Sequence, residues 1–362
     1  FPMQLNIPIV PAGAGEELRD APIGTGPYRF VRYDVDNRVE LKAFEQYWDG
    51  APANAGIVIK IVPDDTMRGL ALRNGSADLV IVDLPPDIVH QFEQSGEFTV
   101  QREKGLDFSY IAFNMKDPVV SDRRVRHAIG YAIDRDAIIR YLRRGLAVKA
   151  FGLIPPGSWA FEPNVHQFTY DPERAKRLLD EAGYPDPDGD GRLPRLDLSL
   201  SLSTNEEMLL QSTVIQEDLR RVGTNLRLRS YEFATFFADV QRGNFQMFTL
   251  QWVGGAMADP DILRRVFHSG QVPPAGFNRG HYGNRAVDRL LDESSTARTE
   301  EERKKYYTEV QKILASDAPY LPIWNRTNVI VARPTLANLH VNPMGDYTAL
   351  RNVRPLVPGA TP

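Results

Sequence analysis

The alternation of apolar and polar residues is sharpest in the central part of the chain. From Phe245 to Trp252, aromatic or aliphatic side chains alternate with polar ones, which predicts a half-buried strand. Gly254 and Gly255 follow and predict a turn. The aspartate and proline at 259 and 260 then precede the apolar run 262–267, a combination that predicts the start of a helix. A strand that leads through a glycine turn into a helix exposes backbone to a ligand, so we predict a binding cleft here.

Similar patterns predict strands and helices along nearly the whole chain. Before residue 114 they predict strands at 28–33, 39–44, 57–62, 77–82, 98–102 and 109–113 and helices at 65–73 and 86–92. After it they predict helices at 125–133, 172–182, 204–222, 232–242, 285–296 and 300–316 and strands at 196–202, 225–231, 320–324 and 328–332. Strands alternating with helices indicate an α/β protein, and those between 196 and 252 predict a largely parallel sheet with helical crossovers.

The length of the chain predicts two lobes. Its 362 residues, of which 42% are hydrophobic, exceed what a single core usually supports. The pattern changes near Asn114, and the last segment has little pattern. We therefore place the first lobe at residues 1–113, the second at 114–337, and a segment that returns to the first lobe at 338–362. Two lobes joined by strand-like crossings predict a hinge with a cleft between them.

Composition excludes several classes of function. Forty-three basic and 47 acidic residues give a net charge of −4, and no basic stripe stands out, so nucleic acid is not an expected partner. The absence of cysteine removes thiolate catalysis, cysteine zinc sites and disulfides. The six histidines form no HExxH motif, and neither a P-loop nor G-x-S-x-G occurs. We therefore expect no catalytic residue, no metal site and no cofactor. An enzyme built from carboxylates alone, such as those at 232, 259 and 261, is the alternative.

One acidic segment has the spacing of a calcium loop. Asp186, Asp188 and Asp190 occupy its first, third and fifth positions, and Gly191 its sixth. The twelfth position holds Asp197 where such a loop has glutamate, and a proline stands at the ninth. A plain acidic turn is the favoured interpretation, and calcium binding stays open.

Several polar residues in predicted loops are candidates for ligand contact. Arg279 could pair with a ligand carboxylate in bidentate fashion, with Asn278 and Tyr282 beside it, although a solvated loop anchored by Tyr282 explains the same pattern. Asn205 follows a predicted strand, where α/β clefts open, although helix capping also explains it. The glycine pair either lets a ligand approach the backbone or only turns the chain.

Motifs spread over the chain resemble a known family. They are Gly24-Thr-Gly-Pro-Tyr28, the segment 65–75 with Asp78, Phe113-Asn114 followed by 122–136, Ile154-Pro-Pro156, the segment 170–183, and Asp259-Pro-Asp261. In this order they resemble the dipeptide-, oligopeptide- and nickel-binding proteins of bacterial ABC transporters, the family 5 extracellular solute-binding proteins. No single motif is specific, but the ordered set covers almost the whole chain.

The resemblance implies a fold and a function. The fold is an α/β, two-lobed periplasmic-binding-protein-like (class II) fold with mixed sheets and a hinge. The function is that of a monomeric substrate-binding component, which captures a small solute, foremost a di- or oligopeptide, by hinge closure and delivers it to a membrane permease of the ABC importer. The location is periplasmic or extracellular, lipid-anchored or soluble. A ligand-sensing domain of a larger regulatory protein is the alternative.

The resemblance also implies a site. In peptide-binding members an extended peptide pairs with backbone next to a tryptophan, which implies the main chain of Trp252, Val253 and Gly254. Trp252 could instead fill the core. The complete set of candidate ligand residues is Asn114, Asn205, Trp252, Val253, Gly254, Gly255, Asn278, Arg279 and Tyr282.

Two departures from the family pattern affect these expectations. A long N-terminal stretch normally precedes the Gly-Thr-Gly-Pro element, so we expect a fragment that lacks the signal peptide and part of one wall of the cleft. Peptide-binding members usually carry aspartate, which pairs with the peptide ammonium, where this chain has Gly255. An oligosaccharide, an opine-like conjugate or a metal chelate therefore stays open beside peptide.

Overall fold

Strands and helices alternate along most of the chain in the computed structural model, which describes residues 9–189, 191–254 and 259–356. The strands are β1 Tyr28–Asp34, β2 Arg38–Ala43, β3 Gly56–Lys60, β4 Leu79–Ile81, β5 Thr99–Phe113, β6 Ala147–Lys149, β7 Leu196–Ser203, β8 Thr224–Tyr231, β9 Met247–Trp252, β10 Tyr320–Ala332, β11 Leu336–Ala337 and β12 Arg354–Pro355. The helices are α1 Asp65–Arg73, α2 Pro86–Ser95, α3 Arg123–Ala132, α4 Pro172–Glu181, α5 Glu206–Arg220, α6 Phe233–Arg242, α7 Ile262–Phe267, α8 Arg285–Thr296 and α9 Glu300–Asp317.

Short helical turns complete these elements. They are Glu16–Arg19, Arg135–Ala137, Ile138–Leu142, Ser269–Gln271 and Thr348–Asn352. Several long helices begin where the sequence predicts a cap. In α4, for example, the Asp171 side chain accepts the backbone N–H of Arg174, and Pro172 occupies the first turn.

The backbone contacts divide the chain into two units. Unit 1 comprises the residues up to Gly105 and from Thr327, and unit 2 comprises Leu106–Arg326. The sequence instead places the changes of lobe after residues 113 and 337. The observed divisions fall inside β5 and β10, and a continuous strand gives no change of pattern at such a point.

Unit 1 contains a small antiparallel sheet and a short core. β2 pairs with β1 on one side and with β3 on the other, so the hairpin predicted at 28–44 is confirmed. β4 pairs antiparallel with the end of β10, where Ile81 lies opposite Ile330. These two residues form a buried cluster with three residues near the C-terminus, Val341, Leu350 and Val353.

Unit 2 is organised on a mixed sheet in which β10, β5, β9, β7 and β8 follow one another, with β6 on β10. β7 runs parallel to β8 and β9, as the strand–helix–strand pattern predicts. β5 is antiparallel to β9, and β6 is antiparallel to β10, so the parallel arrangement does not extend to the whole sheet. The mixed sheet implied by the resemblance is therefore present.

Both faces of this sheet are buried, and β5 shows it most clearly. Ile111 and Phe113 belong to one core cluster, whereas Phe108, Tyr110 and Ala112 belong to the other. Alternate side chains of a strand point to opposite faces, so β5 contributes to both cores. A strand buried on both faces is held firmly in position.

The sequence wrongly divides β5 and β10 into two strands each. Polar residues interrupt the apolar pattern, at 103–107 in β5 and at 325–328 in β10. Strand pairing uses the backbone, so polar side chains need not end it. Asn325 instead donates its side-chain amide to the Asp107 carbonyl, and Arg326 lies 3.5 Å from the Asp107 carboxylate.

Two arginines from the segment 122–136 are buried and make structural hydrogen bonds. Arg126 donates to the carbonyls of Val120 and Ser121 and to those of residues 317 and 318. Arg135 donates to the carbonyls of residues 150, 168 and 322, and burial lowers its pKa to about 10. This part of the motif therefore connects elements of unit 2.

The acidic segment at 186–191 folds, in its described part, as a hydrogen-bonded turn. The Asp186 carboxylate accepts the N–H of Gly189, and the Asp188 carboxylate accepts those of Gly191 and Leu193. Asp190 lies outside the described residues. No group of three or more possible metal ligands gathers in the part of the chain that the structure describes.

Replacing Arg126 tests its structural role. We expect Arg126→Met to lower the free energy of unfolding by about 3 kcal/mol, since buried carbonyl acceptors lose their donor. Arg123→Met, at an exposed position of the same helix, serves as control and changes stability by less than about 0.5 kcal/mol. Urea denaturation followed by fluorescence measures both, and equal losses would contradict the role.

His127 predicts a pH dependence of stability. Burial lowers its pKa from 6.5 to about 4, and His166, stacked on it at 5.1 Å between ring centroids, acts in the same direction. Between these pH values the unfolded chain takes up a proton that the folded chain does not, so stability falls as the pH falls. We expect His127→Gln to reduce the drop in urea midpoint between pH 7 and pH 4.5. His90→Gln, at an exposed position, should leave that drop unchanged.

Candidate ligand site at the end of β9

The central strand β9 brings Trp252 to one edge of the sheet of unit 2. β9 lies between β7 and β5, and its buried residues Met247 and Phe248 point into opposite cores. Its last residue, Trp252, lies opposite Phe108 of β5 and is partly exposed. The packing of β9 on both faces therefore fixes where the chain leaves the sheet.

The residue directly after Trp252 is exposed. Val253 is 59% exposed, and Gly254 has the left-handed φ of 58° that favours glycine. The Gly254 N–H donates to the Asp107 carboxylate at 2.9 Å. Gly255 lies outside the described residues. The carboxylate of Asp107 thus holds the described part of the turn in place.

Two arginines and two acids form a network beside this turn. Arg143 lies 2.5 Å from the carboxylate of Glu207, and Arg326 lies 3.5 Å from that of Asp107. Gln251 of β9 joins them, because it accepts from Arg326 at 3.2 Å and donates to Glu207 at 3.4 Å. Burial lowers the pKa of Arg143, and Glu207 opposes this effect. The charges of the four ionic groups cancel.

Arg279 lies on the other side of Trp252 and is only 5% exposed. Its guanidinium carbon is 5.4 Å from the ring centroid of Trp252, 5.3 Å from that of Phe277 and 5.1 Å from that of Phe237. Its Nε donates a long hydrogen bond of 3.4 Å to Gln241. Among the described residues, no carboxylate lies within ion-pair distance of this guanidinium.

Two tyrosines complete the surroundings of Arg279. The rings of Tyr110 and Tyr320 stack with centroids 4.2 Å apart. Burial raises the pKa of both hydroxyls, while Arg279 is near enough to lower them. Neither hydroxyl nor the indole N–H of Trp252 has a hydrogen-bond partner of standard geometry among the described residues, although all three are buried. We call Arg279, Trp252, Tyr110 and Tyr320 the donor cluster.

The other candidate residues are distributed unevenly around this site. Asn205 follows β7, which is parallel to β9, so it lies at the same edge as Trp252, where its side chain caps α5. Asn114 lies at the start of β9, about 17 Å away for a six-residue strand. Its side-chain amide donates to the carbonyls of Gly243 and Phe245. The structure therefore brings Asn205, but not Asn114, to the Trp252 edge.

Asn278 and Tyr282 are occupied by contacts within unit 2. The Asn278 side chain donates to the carbonyls of His268 and Tyr282 and accepts the N–H of Tyr282. The Tyr282 hydroxyl donates to the Asp317 carboxylate at 2.6 Å. The pKa of Tyr282 is raised, mainly by burial and also by the neighbouring Asp317. These two residues shape the loop that carries Arg279.

The acids that follow the glycine turn are also paired. Asp259 accepts the N–H of Asp261 at 2.8 Å, and α7 begins one residue later, at Ile262, rather than at the proline. Asp259 lies 3.4 Å from Arg303, and Asp261 lies 3.5 Å from Arg264. Both carboxylates therefore take part in ion pairs, and that of Asp259 also accepts a backbone N–H just before α7.

Sequence reasoning missed much of this site. Its unpredicted members are Tyr110, Tyr320, Asp107, Glu207, Arg143, Arg326 and Gln251. For Asp107 and Arg326, the polar residues that interrupt two apolar strands, at 103–107 and 325–328, were the available signal. No local pattern distinguishes Tyr110 or Tyr320 from other core residues, because their neighbours come from distant parts of the chain.

Comparisons with known proteins give consistent matches. The family model described as "Bacterial extracellular solute-binding proteins, family 5 Middle" matches residues 1–273 of this chain. Heme-binding protein A of Haemophilus influenzae is 30% identical over 94% of this chain and 61% of its own length. The dipeptide-binding protein of Escherichia coli is 28% identical over 93% of this chain and 62% of its own. The chain thus spans less than two thirds of these relatives.

A solved structure supports the same fold. The ABC transporter-associated periplasmic binding protein DppA of Helicobacter pylori, in complex with peptide STSA, superposes with a TM-score of 0.78. It is 25% identical, and the match covers 92% of this chain and 63% of that one. The α/β periplasmic-binding-protein-like fold expected from the sequence is thereby confirmed. Within the described residues, no helix is long and apolar enough to cross a membrane.

The conformation of Gly254 gives a test of the turn. We expect Gly254→Ala to lower the free energy of unfolding by about 1 kcal/mol, because alanine is strained at positive φ. Gly283→Ala is the matched control, since added Cβ atoms meet open space at both positions but Gly283 lacks a positive φ. Chemical denaturation compares them. Equal effects of the two substitutions would show that the left-handed conformation is unimportant.

Proposed function

Because the chain belongs to the family 5 bacterial extracellular solute-binding proteins, we propose that it acts as the substrate-binding component of an ABC importer. Proteins of this family work with transporters and are not enzymes. Under this proposal the protein binds a solute reversibly and delivers it to a membrane permease. It breaks no covalent bond of the solute. It acts as a monomer in the periplasm or outside the cell, without a cofactor and without nucleic acid.

The observation that carries the proposal is the exposed turn at the end of β9. Trp252 is partly exposed, and Val253 and Gly254 follow it outside the strand, where Asp107 holds the turn. Hydrogen bonds to main chain give affinity without reading side chains, so such a site accepts many peptide sequences. Asn205 and Arg279 supply polar groups close to it.

Peptide is the solute we favour. The E. coli relative is named a dipeptide-binding protein, and the H. pylori structure holds a peptide. The relative named for heme, together with Gly255 at the usual acidic position, keeps a non-peptide solute as the second candidate. An oligosaccharide, an opine-like conjugate and a metal chelate are members of that second class.

Ligand binding by closure of the two units is part of the proposal. The chain passes between the units inside β5 and inside β10. A solute that binds the closed form more tightly than the open form shifts the equilibrium to the closed form. The prediction of a hinge rests on the family resemblance.

Calorimetry with trialanine tests the proposal on the whole gene product. We expect saturable binding of one peptide per protein and recovery of intact peptide after long incubation. Trp252→Ala should weaken binding at least tenfold, about 1.4 kcal/mol, because an aromatic contact is lost. Trp48→Ala, at a site 79% exposed in unit 1, is the control and should not change binding.

Two results would contradict the proposal. Cleavage or modification of the peptide during incubation would indicate an enzyme. Binding that survives Trp252→Ala unchanged would place the solute elsewhere. If trialanine does not bind, native mass spectrometry identifies any solute that copurifies with the protein. A non-peptide solute would indicate an importer of that solute, and the absence of any solute would leave no support for import.

A further inference from the structure

The donor cluster contains more hydrogen-bond donors than acceptors, and the acceptors of its own members are the two tyrosine hydroxyl oxygens. The guanidinium of Arg279 and the indole N–H of Trp252 can only donate. The hydroxyls of Tyr110 and Tyr320 can both donate and accept, and neither makes a hydrogen bond of standard geometry among the described residues, although both are buried. The amide oxygen of Gln241, 3.4 Å from Arg279 Nε, is a weak acceptor at the margin of this group. Buried polar groups are normally paired, so an acceptor is expected here.

The acids near the donor cluster are already paired with other arginines. The nearby acids Asp107 and Glu207 are matched by Arg326 and Arg143, and the acids at 259 and 261 pair with Arg303 and Arg264. Arg279 has no acid within ion-pair distance in the described parts of the chain. Its positive charge is therefore uncompensated, and a buried charge without a partner is costly.

Two aromatic rings at the edge of the cluster belong to partly exposed residues. Trp252 and Phe277, whose rings contact the guanidinium of Arg279, are both only partly buried. Val253, which follows Trp252, is 59% exposed. A solute that contacts Val253 and Trp252 thus comes close to the edge of the donor cluster.

We propose that the donor cluster binds a carboxylate of the solute, with Arg279 as its ionic partner. This inference rests on the proposed solute-binding function and specifies the class of solute as anionic at the Trp252 end. A carboxylate fits because its two oxygens match the fork of the guanidinium and leave lone pairs for the indole and phenol donors. The C-terminus of a peptide and a free carboxylic acid supply the same group.

Acetate is the minimal probe of this site. The chain has four tryptophans, so the indole N–H signal of Trp252 can be followed by NMR and assigned with Trp252→Phe. The whole gene product is unfolded and refolded to strip any solute and then titrated with acetate at constant ionic strength. We expect a saturating shift of this signal at millimolar acetate, the order that so small a ligand allows, and no such shift with acetamide. Equal responses to acetate and acetamide would overturn the proposal.

Variants separate ion pairing from loss of structure. We expect Arg279→Gln to abolish the acetate response and Arg279→Lys to weaken it about tenfold, since lysine keeps the charge but not the fork. The signal of the buried Trp324 reports whether each variant is folded. If Arg279→Gln does not fold, Tyr320→Phe replaces it, because it removes one donor and keeps the stacked ring, and a several-fold weaker response is expected. An unchanged response in a folded Arg279→Gln protein would overturn the proposal.

Trialanine derivatives distinguish this inference from the proposed function. We expect the C-terminal amide to bind at least tenfold more weakly than the acid, and N-acetylation to change affinity less than threefold. If the C-terminal amide binds as tightly as the acid and N-acetylation weakens binding, the carboxylate site is overturned and the import function is left intact. An acetate response without any peptide binding would remove peptide as the solute and leave the carboxylate site intact, with a free acid as its source.

Discussion

The burial of β9 on both faces is the constraint on which the candidate site depends. β5 and β7 flank this strand, and the core clusters on the two sides of the sheet hold it. Trp252 therefore emerges at a fixed position, and the carboxylate of Asp107 fixes the Gly254 N–H just beyond it. Binding at a turn braced in this way avoids the entropy cost of ordering a free loop at each binding event.

The charges on the two sides of Trp252 differ in a way that matters for recognition. On one side the network of Asp107, Glu207, Arg143 and Arg326 is neutral, so it stabilises the turn without favouring either charge on a solute. On the other side Arg279 is buried among aromatic rings without an acid. Cation–π contacts offset only part of the cost of desolvating this arginine. An anionic group on the solute would remove the remaining cost at the moment of binding.

The sequence alone predicts the elements of this protein better than its site. The positions of most helices and strands follow from hydrophobic periodicity and caps such as Asp171, which are local features. The continuity of β5 and β10 does not follow from local features. Polar residues such as Asn325 are held in these strands because their backbone pairs with strands from distant parts of the chain. Of the candidate site residues, Trp252 and Arg279 lie together, whereas Asn114, Asn278 and Tyr282 use their side chains in structural hydrogen bonds. A polar residue after a strand has the same local signature in either role, so only the three-dimensional contacts separate them.

Backbone hydrogen exchange with and without bound solute tests most directly that the solute binds at the end of β9. The account predicts that the amides of Val253 and Gly254 exchange more slowly when the solute that copurifies with the protein is present. It also predicts no change in the segment 243–246, at the opposite end of the strand near Asn114. Protection at that opposite end, with none after Trp252, would contradict the account.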